Sequence, residues 1–172
     1  MKGMSAMASQ HQQLLDQIHK LILEFSMQAR QEYLDIMQPF ALTLSQFVVL
    51  ALLQSVNRPL SLREISDHTL IPPSSMTHTI DRLVEQGFVH RGSHPTDRRT
   101  ILASLTEEGQ SVVEKIEEER RTIFERTWGL LPESELNAFS AILNKIIPIY
   151  QAENSVRIHP ALALASNGHG RI

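Results

Sequence analysis

At Gly87 the apolar spacing of this chain switches from a helical to a strand period, which demands a helix running directly into a β-hairpin. Upstream, Met76, Ile80, Leu83 and Val84 share one helix face, predicting a helix from about 73 to 86 that Gly87 ends as a left-handed cap. Downstream, residues 88–91 and 99–105 have strand composition and enclose the turn formers of 92–97, predicting a two-stranded ribbon. Before the switch, Thr43/Gln46 and Ser61/Glu64 each have the spacing of a capping box, opening two short helices, the second ending near His68 before the turn at 69–72.

Both ends of the chain carry longer helical patterns. Leu14, Ile18, Leu21 and Phe25 begin an apolar stripe that reaches Ile36 and stops at Pro39. Thr106 with Glu107 and Glu108 caps a helix to about 130, its inner side marked by Val113, Ile116, Arg120, Ile123 and Thr127. Leu136, Phe139, Leu143, Ile146 and Tyr150 then step by three and four, the seam spacing of helices that pack on one another. The expected division is therefore end helices at 12–38 and 133–150, a central unit at 43–105, a linking helix at 106–131 and a weakly patterned tail at 151–172.

Composition narrows the chemistry. The 172 residues suit one domain, and with 0 Cys there is no disulfide framework, thiolate metal site or cysteine nucleophile. No apolar run reaches the length of a membrane span and residues 1–13 show no signal-peptide pattern, so a soluble cytoplasmic protein without a membrane partner is expected. Net charge is −3, which argues mildly against nucleic acid, but 41–104 is net positive by one and holds four of the 8 histidines.

Two short helices, a tight turn and a hairpin make a winged helix-turn-helix, whose second helix enters the DNA major groove. On the predicted 73–86 helix, Ser74, Ser75, His78 and Arg82 point away from the apolar sector, with Thr77 on its flank. The first two turns contain no carboxylate, leaving hydroxyls and an imidazole free to approach phosphates and base edges. A polar helix face is by default merely solvated; its place between a turn and a hairpin reverses that preference. At the hairpin tip, Arg98 and Arg99 beside Asp97 suit a narrow minor groove, with Asp97 able to hold Arg99, although turn formation and edge protection account equally well for the triplet.

The stretch from Leu62 to Gly109 resembles the MarR family of bacterial transcriptional regulators. It carries, in order, the helix opening L-R-E-I, the T-x-x-I-D-R-L-x-x-x-G-F-V stretch, the D-x-R wing at Asp97 and Arg99, and L-T-E-E-G. The flanking helices resemble that family's dimerisation helices, extending the resemblance over about 12–150. Two positions depart from the pattern: Leu70 replaces a common turn glycine, and Pro72-Pro73 a usual Ser or Thr cap.

The resemblance implies a mainly α homodimer with a small β-wing. Its two reading helices would meet successive major grooves of a pseudo-palindromic operator in double-stranded DNA. DNA contact would fall to Ser61, Arg63, Ser74, Ser75, Thr77, His78, Arg82, Asp97, Arg98 and Arg99. It further implies a repressor whose small-molecule effector, an aromatic or phenolic anion, binds between the dimerisation helices and the winged unit. Arg30, Tyr33 and Phe47 are candidates for its cation, hydroxyl and wall, each also readable as ordinary packing or surface charge.

Rival readings have less behind them. A metal-sensing regulator would need His and carboxylates gathered from separate segments, since no helix carries an H-x-x-x-H pair. A winged module that binds protein instead of DNA fits the acidic net charge. Catalysis is not expected: Ser74, Ser75, His78 and Asp81 have the residue types of a nucleophilic triad without its geometry, and neither a phosphate loop nor a nucleophile elbow is present. No cofactor and no metal are implied.

Overall fold

The computed structural model describes residues 2–69, 71–93 and 100–154. Helix α1 (Lys2–Met37) extends for 36 residues, about 54 Å at 1.5 Å per residue. Pro39 lies in the short 3₁₀ turn Gln38–Phe40, after which Ala41 adopts a left-handed φ of 52° and the chain reverses into α2 (Leu44–Val56). Both predicted capping boxes are formed: Thr43 accepts from the Gln46 amide at the start of α2, and Ser61 accepts from the Glu64 amide at the start of α3 (Leu62–His68).

After α3 comes α4 (Pro73–Glu85), and Gly87 takes a φ of +79°, the left-handed conformation that lets the chain leave the helix without a Cβ penalty. The hairpin follows as β2 (Val89–Ser93) and β3 (Ile101–Leu105), antiparallel with Val89 opposite Leu105 and Ser93 opposite Ile101. A third strand is present beyond the expected pair. β1 (Leu60–Ser61) pairs with β3, giving the order β1-β3-β2. Two residues are too few to show a strand period, so only the pairing reveals it.

The core lies inside this winged unit. Leu50, Leu52 and Leu53 of α2, Ile65 of α3, Met76, Ile80 and Leu83 of α4, Ala103 of β3, and Val112, Val113 and Ile116 of α5 (Glu107–Trp128) are all buried together. Val84, assigned to the apolar sector by spacing, is exposed, because Met76, Ile80 and Leu83 already fill the buried side of α4. Gly109 is fitted closely: a Cβ there would stand 2.1 Å from the Phe88 carbonyl oxygen. That contact seats the first turn of α5 against the root of the hairpin. Thr106 reinforces it, its hydroxyl donating to the Gly87 carbonyl at 2.8 Å while accepting from the Gly109 amide at 2.9 Å.

The outer helices are different. α6 (Glu133–Asn154) carries Pro148 within its length and continues past the expected end at 150. Trp128 of α5 gathers Phe25 of α1, Phe124 of α5 and Phe139 of α6, with ring centroids 5.7, 5.2 and 5.1 Å away. Beyond this cluster the apolar stripes of α1 and α6, including Leu14, Ile18, Leu21, Ile142 and Ile146, are exposed. Among the described residues, no single helix is long and apolar enough to cross a membrane.

Candidate nucleic-acid interface

Helix α4 opens on two prolines. Pro72 stands at the cap position without a side-chain cap, and Pro73 begins the helix, so the first turn is set by fixed backbone torsion instead of by a hydroxyl cap. Ser74 and Ser75 are consequently not spent on capping and project from the N-terminal end, where helix dipoles leave partial positive charge and no first-turn carboxylate opposes it. Thr77 and His78 are exposed on the next turn.

The two acids of α4 are both engaged by arginines. Asp81 pairs with Arg91 of β2, and Glu85 accepts from Arg82 at 3.1 Å. The Arg91 pair ties the wing strand to the helix as well as offsetting a carboxylate. The far end of α4 is held by amides: Gln86 donates to the Ala41 carbonyl at 3.1 Å and accepts from the Gln46 side chain at 3.1 Å. Spacing gave no sign of these three tethers, since each joins residues ten or more apart.

The other predicted contacts divide by environment. The Ser61 hydroxyl is occupied by its cap, donating to Glu64 at 2.8 Å, whereas Arg63 is exposed with Asp67 at 3.9 Å. Hydrogen bonds from the Ser61 amide and hydroxyl, reinforced by Arg58, hold the Glu64 carboxyl down at about 2. Ser74, Ser75, Thr77, His78 and Arg82 share the exposed side of α4. Asp97, Arg98 and Arg99 lie outside the described residues, as does Leu70.

The effector candidates differ in exposure. Tyr33 and Phe47 meet, with ring centroids 6.2 Å apart, but Phe47 is buried in the core and Arg30 lies exposed on α1. Burial raises the Tyr33 pKa, and the cation that opposes this rise is Arg120 of α5. Arg120 is itself bound by Glu117, donating through Nε and Nη2 at 3.0 and 2.5 Å. Burial works against its charge and the Glu117 bonds more than compensate, leaving its pKa raised. Nearby, Ile36, Phe40 and Ile123 help line a groove of about 670 Å³ between α1, the 3₁₀ turn and α5. Among the described residues, no three His, Asp or Glu side chains gather as a metal ion would require.

A family model described as the MarR family matches residues 42–101. The HTH-type transcriptional repressor MdtR of Bacillus subtilis is 30% identical over 134 residues, covering 78% of this chain and 86% of the relative. This chain belongs to the MarR family. The crystal structure of YusO from Bacillus subtilis superposes on this MarR-family chain with a TM-score of 0.68 and 32% identity, covering 79% of it and 96% of YusO. BpsR of Bordetella bronchiseptica, described with a mechanism for regulation of its DNA binding by 6-hydroxynicotinic acid, gives a TM-score of 0.59 and 26% identity, covering 75% and 91%. The MarR-family chain is thus a DNA-binding transcriptional regulator of winged helix-turn-helix form, and its family is one of regulators, not of enzymes.

Proposed function

We propose that the chain acts in the cytoplasm as a homodimeric, ligand-responsive repressor that reads a pseudo-palindromic operator through α4. The observation that carries this reading is the electrostatic state of α4: its N-terminal half exposes hydroxyls and an imidazole, and both acids behind them are paired with arginines. Ser74, Ser75, Thr77, His78 and Arg82 are its base and phosphate contacts. Arg63 meets backbone phosphate from a helix that Ser61 caps, and Asp97, Arg98 and Arg99 form the wing tip.

The uncovered apolar stripes of α1 and α6 supply the dimer face, since a second copy related by a twofold axis would cover them. Repression is supported by the relative MdtR, a transcriptional repressor, and ligand response by BpsR, whose DNA binding is regulated by 6-hydroxynicotinic acid. The effector sits in the groove between α1, the 3₁₀ turn and α5, where the long helix joins the winged unit, so its occupancy bears on the spacing of the two reading heads. An aromatic body, as the resemblance implies, suits Phe40 and Ile123.

Fluorescence anisotropy on duplexes from the chain's own upstream region tests the reading. Log affinity should fall with log salt by about 0.9 per phosphate neutralised. His78→Ala should change which sequences are preferred, while Arg99→Ala should weaken binding across sequences. A winged module for protein would show no salt-sensitive duplex affinity at all.

A further inference from the structure

We propose that the groove between α1, the 3₁₀ turn and α5 takes an amphipathic organic cation, not an anion. The inference rests on the reading above in one respect, that this groove is the effector site. Its apolar part is Ile36, Pro39, Phe40 and Ile123, and its charged part is Glu32, Asp35 and Glu119 against Lys115 alone. The lining therefore carries two more negative than positive charges. Asp35 accepts a hydrogen bond from Gln31 at 2.8 Å, which leaves its charge in place.

A further cation of α5 does not change this balance. Arg120 gives two N–H bonds to Glu117, so its charge is already matched within α5. Glu32 acts on both Tyr33 and Arg120, which puts the negative wall of the groove beside the polar cluster joining α1 to α5. A carboxylate or phenolate entering here would meet like charge from both helices, Glu32 and Asp35 on α1 and Glu119 on α5, whereas a delocalised or quaternary cation gains attraction and loses little hydration. Its apolar body would displace water from Phe40 and Ile123. The bound molecule would touch α1 and α5 at once, and the 3₁₀ turn that leads into α2. Those are the elements linking the exposed long helix to the winged core.

Isothermal titration of the full chain with tetraphenylphosphonium, and separately with salicylate, tests the charge preference. Tetraphenylphosphonium should bind and salicylate should not. The double variant Glu32→Gln, Glu119→Gln should bind the cation about tenfold more weakly, as expected for two partly exposed charges. Glu119→Lys should weaken the cation further and admit salicylate. Salicylate binding the unaltered chain as well as the cation does, or cation binding indifferent to both variants, overturns the proposal. So does a loss of self-association in the double variant, by sedimentation velocity, without any probe binding: the groove would then be a contact between copies. Duplex binding measured on the same samples separates the two readings. Salt-sensitive duplex affinity without cation binding removes the ligand class and leaves the regulator, whereas cation binding without duplex affinity does the reverse.

Discussion

The winged unit and the outer helices share a vocabulary of Leu, Ile and Phe at helical spacing, yet they dispose of it in opposite ways. Leu50 and Leu83 are 0% exposed, while Leu14 is 53% and Ile142 59% exposed. The first pair is covered by other parts of the same chain: α2 packs against α5 and β3, and α4 against α2, α3 and β2. The second has no cover among the described residues. Periodicity tells which face of a helix is apolar; it carries no information about which molecule covers that face. Contiguous exposed apolar patches on a soluble protein mark interaction sites, and this is the physical case for the proposed second copy.

The comparison breaks most visibly if charges are placed on the uncovered stripe. Leu21→Glu with Ile142→Glu should abolish self-association in sedimentation velocity. Duplex affinity should drop by roughly 100-fold or more, because one subunit reads only half a site. The fold of the winged unit should survive, since neither side chain contributes to its core. Unchanged association would leave the exposed stripes without the assigned occupant.

Next in size is deletion from the buried side. Leu83→Ala should cost about 2–5 kcal/mol in chemical denaturation, as a methyl-lined cavity opens between α4 and the core. The matched deletion Leu21→Ala sharpens the contrast. In an isolated subunit it should change stability by less than about 0.5 kcal/mol, whereas under a second copy it should lower the Tm, most at low protein concentration where the weakened dimer dissociates.

Gly109→Ala comes third, at about 1–3 kcal/mol. The added Cβ meets a backbone carbonyl, not a flexible side chain, so α5 or the hairpin root must shift. Because the displaced element carries the wing, duplex affinity should fall further than global stability alone predicts. A variant with normal stability and normal DNA binding would show that the fit at the hairpin root is slack.

The smallest effect is electrostatic. Glu64 titrates at about 2 in the folded chain against an ordinary 4.5, so between those values the unfolded chain binds more protons. Its contribution is complete above about pH 4.5 and drains away as pH falls towards 2. The carboxylate is substantially exposed, so solvent screening limits the gain to below about 1 kcal/mol. Glu64→Gln should therefore lower stability by up to that amount at neutral pH, with the difference from the unaltered chain vanishing as pH falls towards 2.

Much of this was legible in local chemistry. The capping boxes at Thr43 and Ser61, the helix stop at Gly87 and the period switch into the hairpin all depend on residues within four positions of one another, and the structure contains each of them. The polar side of α4 was legible for the same reason. Strand β1 was not, because a two-residue strand exists only through its pairing with β3. Nor were the Asp81–Arg91 pair, the Gln46–Gln86 bridge or the close approach at Gly109, each of which joins segments ten to forty residues apart. The surroundings of the effector candidates were not legible either. Arg30, Tyr33 and Phe47 were grouped by chemical type, whereas the fold set Arg120 beside Tyr33 and buried Phe47 in the core.

The order of elements, their caps and the chemistry of the polar face of α4 were thus determined by the sequence itself, because hydrogen-bonding reach and side-chain spacing act over one or two turns. That Asp81 is paired by the wing strand, and where the groove lies, were decided only by tertiary packing. Those properties depend on distances between elements, and no one-dimensional pattern encodes such distances until the core has closed around them.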